Sequence, residues 1–101
     1  MAFEWQGVRF VGTYRQLADL QARPGVYMIL CDRGDGWSVL DVGEASDVRA
    51  RVLGHDRKGC WQGHCGGELL YAAHYTHWGE AGRREIETRL RSAARPPCGS
   101  E

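Results

Sequence analysis

The period of hydrophobic and polar positions changes several times along the chain, and each change marks an element. Phe3 to Val11 alternates around Gln6-Gly7, the pattern of a short hairpin or an edge strand. Behind Thr13, a candidate N-cap, Leu17, Ala18, Leu20 and Ala22 recur at helical spacing until Pro24 stops the run, which predicts a first helix over about 13–22. Gly25 to Cys31 is apolar and rich in strand formers, Asp32 to Gly36 is turn chemistry, and Trp37 to Val42 resumes the strand pattern. A symmetric turn in this hairpin places Tyr27 near Asp41.

Ser46 then caps a second helix with Asp47 in its first turn, and Val48, Val52 and His55 form its inward stripe until Gly54 weakens it. Arg51 and His55, at i and i+4, share a face of that helix. Residues 56–67 are polar, rich in glycine and without period, and read as a loop. Glu68 to Thr76 reads as a third strand. A last helix is predicted from about Glu80 to Ala94, with Ile86, Leu90 and Ala93 as its buried stripe, Glu87 at the stripe's edge and Pro96-Pro97 as its end.

At 101 residues the chain fits one domain spanning 1–101, with one modest core. Thirteen basic and thirteen acidic side chains cancel, so affinity for phosphate has to come from a local patch. The first residues lack the apolar run of a secretory leader, and nowhere do eighteen apolar residues follow one another, so the expectation is a soluble, cytoplasmic protein without a membrane partner. In that setting Cys31, Cys60, Cys65 and Cys98 are expected as thiols before disulfides.

The strongest chemical signal is an ordered set: Gly25-Val26-Tyr27, then Asp41-Val42-Gly43, then Arg51 and His55, then Glu87 nine residues before Pro96. Cleaving a phosphodiester needs an activated water, a cation against the charge building on phosphate, and help for the leaving oxygen. Arg51 can grip phosphate oxygens through its planar fork, and Glu87 can hold a hard divalent ion. His55, with an ordinary pKa of about 6.5, is favoured as the base, and Tyr27 as the group that positions the water or shares the proton transfer.

In order and spacing this set resembles the GIY-YIG nuclease domains, the module of the excision-repair nuclease subunit and of some homing endonucleases. The resemblance runs from about Gly25 to Gly99. It implies a small α/β (α+β) fold with a mostly antiparallel central sheet flanked by helices, agreeing with the predicted order of hairpin, helix, strand, helix. It also implies catalytic roles for Tyr27, Arg51, His55 and Glu87, with Glu87 as ligand to Mg²⁺ or Mn²⁺, and DNA as substrate, RNA remaining open. Three positions depart from the pattern: Asp41 replaces a tyrosine, Glu44 stands where a lysine or glutamine is expected, and Gly99 takes the place of an asparagine. Asp41 and Glu44 are candidate supporting residues that bind the metal or orient Tyr27. The departures leave room for a module that binds nucleic acid and has lost turnover.

Arg57, Lys58 and Trp61 form a basic stretch with an aromatic that could stack on a base, and Arg84 and Arg91 belong to a basic side of the last helix suited to phosphate. Specificity is expected to be weak, structural, or supplied by a targeting protein or a second copy of the chain. The group His55, Cys60, His64 and Cys65 suggests zinc, but Cys60 and Cys65 are not a close pair and Cys98 is remote, so structural zinc is not expected and a zinc-bearing interaction domain ranks last.

Overall fold

The computed structural model describes residues 2–99; the single domain expected over 1–101 extends past these at both ends. Five strands form one antiparallel sheet: β1 (Ala2–Trp5), β2 (Val8–Tyr14), β3 (Gly25–Asp32), β4 (Trp37–Ala45) and β5 (Glu68–Tyr75), in the spatial order β1-β2-β5-β3-β4. Three helices accompany it, α1 (Val48–Leu53), α2 (Lys58–His64) and α3 (Glu80–Ala94). The class is α+β, as expected.

β3 is hydrogen-bonded on both sides, to β4 and to β5, and is covered on both faces. That is why Gly25 to Cys31 reads as an unbroken apolar run rather than an alternation. On one face Phe10, Val26, Met28, Leu30 and Val42 pack against Ile86 and Leu90 of α3. On the other, Tyr27, Ile29 and Ala73 pack against Val48 and Val52 of α1 and Trp61 of α2. Ala93, expected in the buried stripe of α3, is exposed, and Arg83 is buried instead.

The helix predicted over 13–22 does not form. β2 runs on through Thr13 to Tyr14, which pairs with Tyr71 of β5, and only a 3-10 turn at Leu17–Asp19 follows. Two leucines over so short a stretch cannot nucleate a helix against a strand partner already in place. α1 starts one residue later than expected: Asp47, not Ser46, is the cap, its carboxylate accepting from the Ala50 N–H at 3.0 Å. It also ends early, at Leu53, so His55 lies beyond the helix that carries Arg51.

The predicted loop over 56–67 contains α2. Gly59 and Gly63 mask its periodicity, and tertiary contacts through Trp61, Cys60 and Cys65 hold it. The four cysteines, expected as thiols, are paired: Cys31 with Cys65 and Cys60 with Cys98. Folding closes sequence separations of 34 and 38 to Cα distances of 5.5 and 5.9 Å, within ordinary disulfide reach. Among the described residues, no helix is long and apolar enough to cross a membrane.

Candidate active site

β3 presents Tyr27 on the α1/α2 face, directly opposite Gly43 of β4 rather than Asp41. The phenol ring lies across that glycine; a Cβ on Gly43 would overlap Tyr27 Oη and Cζ. Oη meets His55 Nε2 at 2.8 Å, and the far side of the imidazole lies against Trp61, with ring centroids 4.9 Å apart. Burial pushes Tyr27 up to about 12, and the Asp41 charge adds to that effect. Burial lowers His55 to about 4, reinforced by the Arg51 and Arg57 guanidiniums. Both groups are therefore uncharged at neutral pH.

His55 Nδ1 has two candidate partners that demand opposite tautomers. It can accept from the Arg57 backbone N–H at 3.1 Å, in which case Nε2–H donates to Tyr27. Alternatively it carries the proton and faces the Asp56 carboxylate 3.2 Å away as a charge contact, and the Tyr27 hydroxyl then donates to Nε2. Asp56 was not singled out from the sequence, where it sits in a polar, aperiodic stretch.

Asp41 lies on this face by plain alternation, two residues from Gly43, and the bulge falls just before it: Ile29 opposes Asp41 while Leu30 opposes Val39, so Leu40 is the extra residue and joins the same face. Its carboxylate is fully buried and fully occupied. Oδ2 accepts from Arg57 Nε and Trp61 Nε1, each at 2.8 Å, and Oδ1 accepts from Arg57 Nη2 at 3.2 Å and from Arg91 Nη2. This corrects two expectations. Asp41 cannot ligate a metal without releasing two guanidiniums, and it orients arginines rather than Tyr27. Trp61 is buried with its indole N–H committed, which leaves it no face for stacking on a base.

Arg57 and Arg91, expected at a nucleic-acid surface, are partly buried around Asp41. Arg91 is shared with Glu87, so the two guanidiniums face two carboxylates. Glu44 alternates to the opposite face, where Arg83 Nε holds it at 2.8 Å and Arg84 stands 3.8 Å away, so it is not part of the Tyr27 cluster. Arg84 is exposed and paired with Glu80 at 2.8 Å, and Lys58 opens α2 at the surface. Arg51 is exposed on α1, 3.7 Å from Asp56, and its charge is felt at both Tyr27 and His55.

α3 runs beside the edge strand β4 and brings Glu87 and Arg91 round to this side. Glu87 Oε2 accepts from Arg91 Nε at 3.3 Å, while Oε1 has no protein partner among the described residues. A half-buried carboxylate with one oxygen to spare suits a hard divalent ion that keeps most of its waters. The chain then folds back over the arginines: Arg91 Nη1 donates to the Cys98 carbonyl at 3.2 Å, and a Cβ on Gly99 would overlap Arg91 and crowd Arg57. Glycine at this position makes room for the two guanidiniums.

Two solved structures share this architecture, both of the GIY-YIG N-terminal endonuclease domain of UvrC from Thermotoga maritima, in tyrosine-to-phenylalanine variants bound to the catalytic divalent cation. Each aligns with a TM-score of 0.56 over 84% of this chain and 91% of that chain, at 17% and 18% identity. The fold is GIY-YIG-like. Within it the two tripeptides, Gly25-Val26-Tyr27 and Asp41-Val42-Gly43, fall on the adjacent strands β3 and β4. No protein-family model and no curated protein matches the sequence, so the GIY-YIG likeness is carried by the fold.

Proposed function

We propose that this chain is a metal-dependent endonuclease that hydrolyses phosphodiester bonds in DNA. The observation that carries the reading is the 2.8 Å contact between Tyr27 and His55, placed where the charges of Arg51 and Glu87 act on it, in a GIY-YIG-like fold. A divalent ion held by Glu87, Mg²⁺ or Mn²⁺, would neutralise charge on the phosphate. Arg51, exposed at the rim, grips the phosphate oxygens.

His55 cannot meet the attacking water directly, because both its ring nitrogens face protein groups. Tyr27 therefore takes the proton from water and passes its own to His55 Nε2, in the tautomer whose Nδ1–H faces the Asp56 carboxylate 3.2 Å away. With a pKa near 4, the imidazolium so formed is acidic and returns its proton to Tyr27 Oη, while the phenol's own proton passes to the leaving oxygen as the bond breaks. Such a relay contributes roughly 10²- to 10⁴-fold. Tyr27 is only 1% exposed, so substrate binding has to open a path to its hydroxyl.

The same burial, with Asp41 claiming Arg57 and Arg91, favours one competing reading: a nucleic-acid-binding module that keeps the site and has lost turnover. Incubation with single- and double-stranded DNA and with RNA, with and without Mg²⁺ or Mn²⁺, separates the two. Metal-dependent DNA cleavage that falls by about 10²-fold or more in Glu87→Ala, with DNA affinity kept within a few-fold, is the expected result. Binding without cleavage selects the second reading, and cleavage indifferent to Glu87→Ala overturns the first. A chain that neither binds nor cleaves would be an interaction domain.

A further inference from the structure

We infer that, once its Cys60–Cys98 bridge is reduced, the protein binds one zinc ion through Cys60, His64 and Cys98. Cys60 and His64 are i and i+4 on α2 and so face the same way. Cys98 comes from the segment after α3 and is fixed by its backbone whatever the state of its sulfur: its N–H donates to the Leu40 carbonyl at 3.0 Å and its own carbonyl accepts from Arg91. The three ligand atoms lie within 4.8 Å of one another.

His64 Nδ1 stands 3.6 Å from Cys60 Sγ and 3.9 Å from Cys98 Sγ. A tetrahedral zinc with ordinary Zn–S and Zn–N bonds holds sulfur and nitrogen about 3.6 Å apart. Both sulfur-to-nitrogen distances are thus near their zinc-bound values, and only the two sulfurs need to separate, to about 3.8 Å. Thiolates and imidazole are the donors that select zinc over the hard ions suited to Glu87. Water completes the fourth position. The Nδ1 contact to the Cys60 carbonyl, 3.0 Å long, is exchanged for the metal.

This is a different set from the His55, Cys60, His64 and Cys65 group suggested by sequence proximity. His55 is committed to Tyr27 and Cys65 to Cys31, while the fold supplies Cys98 instead. In the cytoplasm expected for this chain, dithiols keep disulfides reduced, and this bridge is reached from the side of the half-buried Cys60, Cys98 being buried. A dithiol passes two electrons and two protons to the Cys60–Cys98 bond and becomes a disulfide itself; zinc then displaces the two thiol protons, and the His64 proton sits on Nε2. The ion takes over the tether that keeps residues 96–99 over Arg57 and Arg91. The site does not depend on the nuclease reading, since its test reads metal content.

The test uses the full chain, oxidised or reduced with a phosphine, loaded with zinc chloride and desalted before its zinc is measured by mass spectrometry. Affinity is measured by competition with a chromophoric chelator. About one zinc per reduced chain and none per oxidised chain is expected, with affinity falling by about tenfold or more in both Cys98→Ser and the surface variant His64→Ala. Cys31→Ser/Cys65→Ser is expected to retain the ion. No zinc on the reduced chain, or zinc unchanged in a folded His64→Ala variant, overturns the proposal.

Discussion

Burial inverts the acid–base character that Tyr27 and His55 would show in water. A phenol driven up to about 12 and an imidazole driven down to about 4 are neutral partners across the whole physiological range. The His55 shift has a consequence for stability. Its folded pKa lies below the ordinary value of about 6.5, so as pH falls the unfolded chain takes the proton first. The stabilisation is complete above pH 6.5 and drains away as pH approaches 4, by up to about 3 kcal/mol. Urea unfolding at several pH values measures this: His55→Gln should flatten the acid limb relative to the parent chain, and an equally steep limb would show that another group controls it. Residue type and spacing are what make Tyr27, Arg51, His55 and Glu87 candidates. Their hydrogen-bond partners were not legible in the sequence, because Asp56 and the Arg57 backbone reach His55 only after α1 ends at Leu53.

At the scale of elements, β4 shows where period-two reading stops working. Strict alternation puts Leu40 and Asp41 on opposite faces, but the bulge lets Leu40 join the core beneath α2 while Asp41 still reaches Trp61. Beside it, a single buried carboxylate joins β4, α2 and α3. Asp41→Asn should destabilise the fold by about 3 kcal/mol, since Arg57 would then be left crowded against Arg91, with Glu87 as the one counter-charge for the pair. Denaturant titration reads the cost directly, and a loss below about 0.5 kcal/mol would mean that the pair is screened by water. α3 was legible to its ends because fifteen residues keep one stripe. α2 was not, since in seven residues with two glycines its one fully buried side chain is Trp61.

Across the whole molecule, two bridges tie α2 to the rest: Cys31–Cys65 joins it to β3, and Cys60–Cys98 to the segment after α3. Each closes a loop long enough to contribute roughly 3–4 kcal/mol by the chain-entropy account. Against a typical total of about 5–15 kcal/mol this is a large share. Reducing both in the presence of a metal chelator should lower the melting temperature by more than about 10 °C, as followed by calorimetry. If Cys60, His64 and Cys98 bind zinc, adding the ion without chelator restores part of that loss.

The hairpin of β3 and β4, the strand β5, the full length of α3 and the candidate reacting groups were determined by the sequence alone, because periodicity and residue chemistry are local properties. The register that sets Tyr27 over Gly43, the bulge that turns Leu40 in beneath α2, the burial of Trp61 and the pairing of Cys98 with Cys60 were decided only in three dimensions. Each of these depends on which distant segment arrives beside a residue, and that is settled by the packing of the whole sheet against its helices.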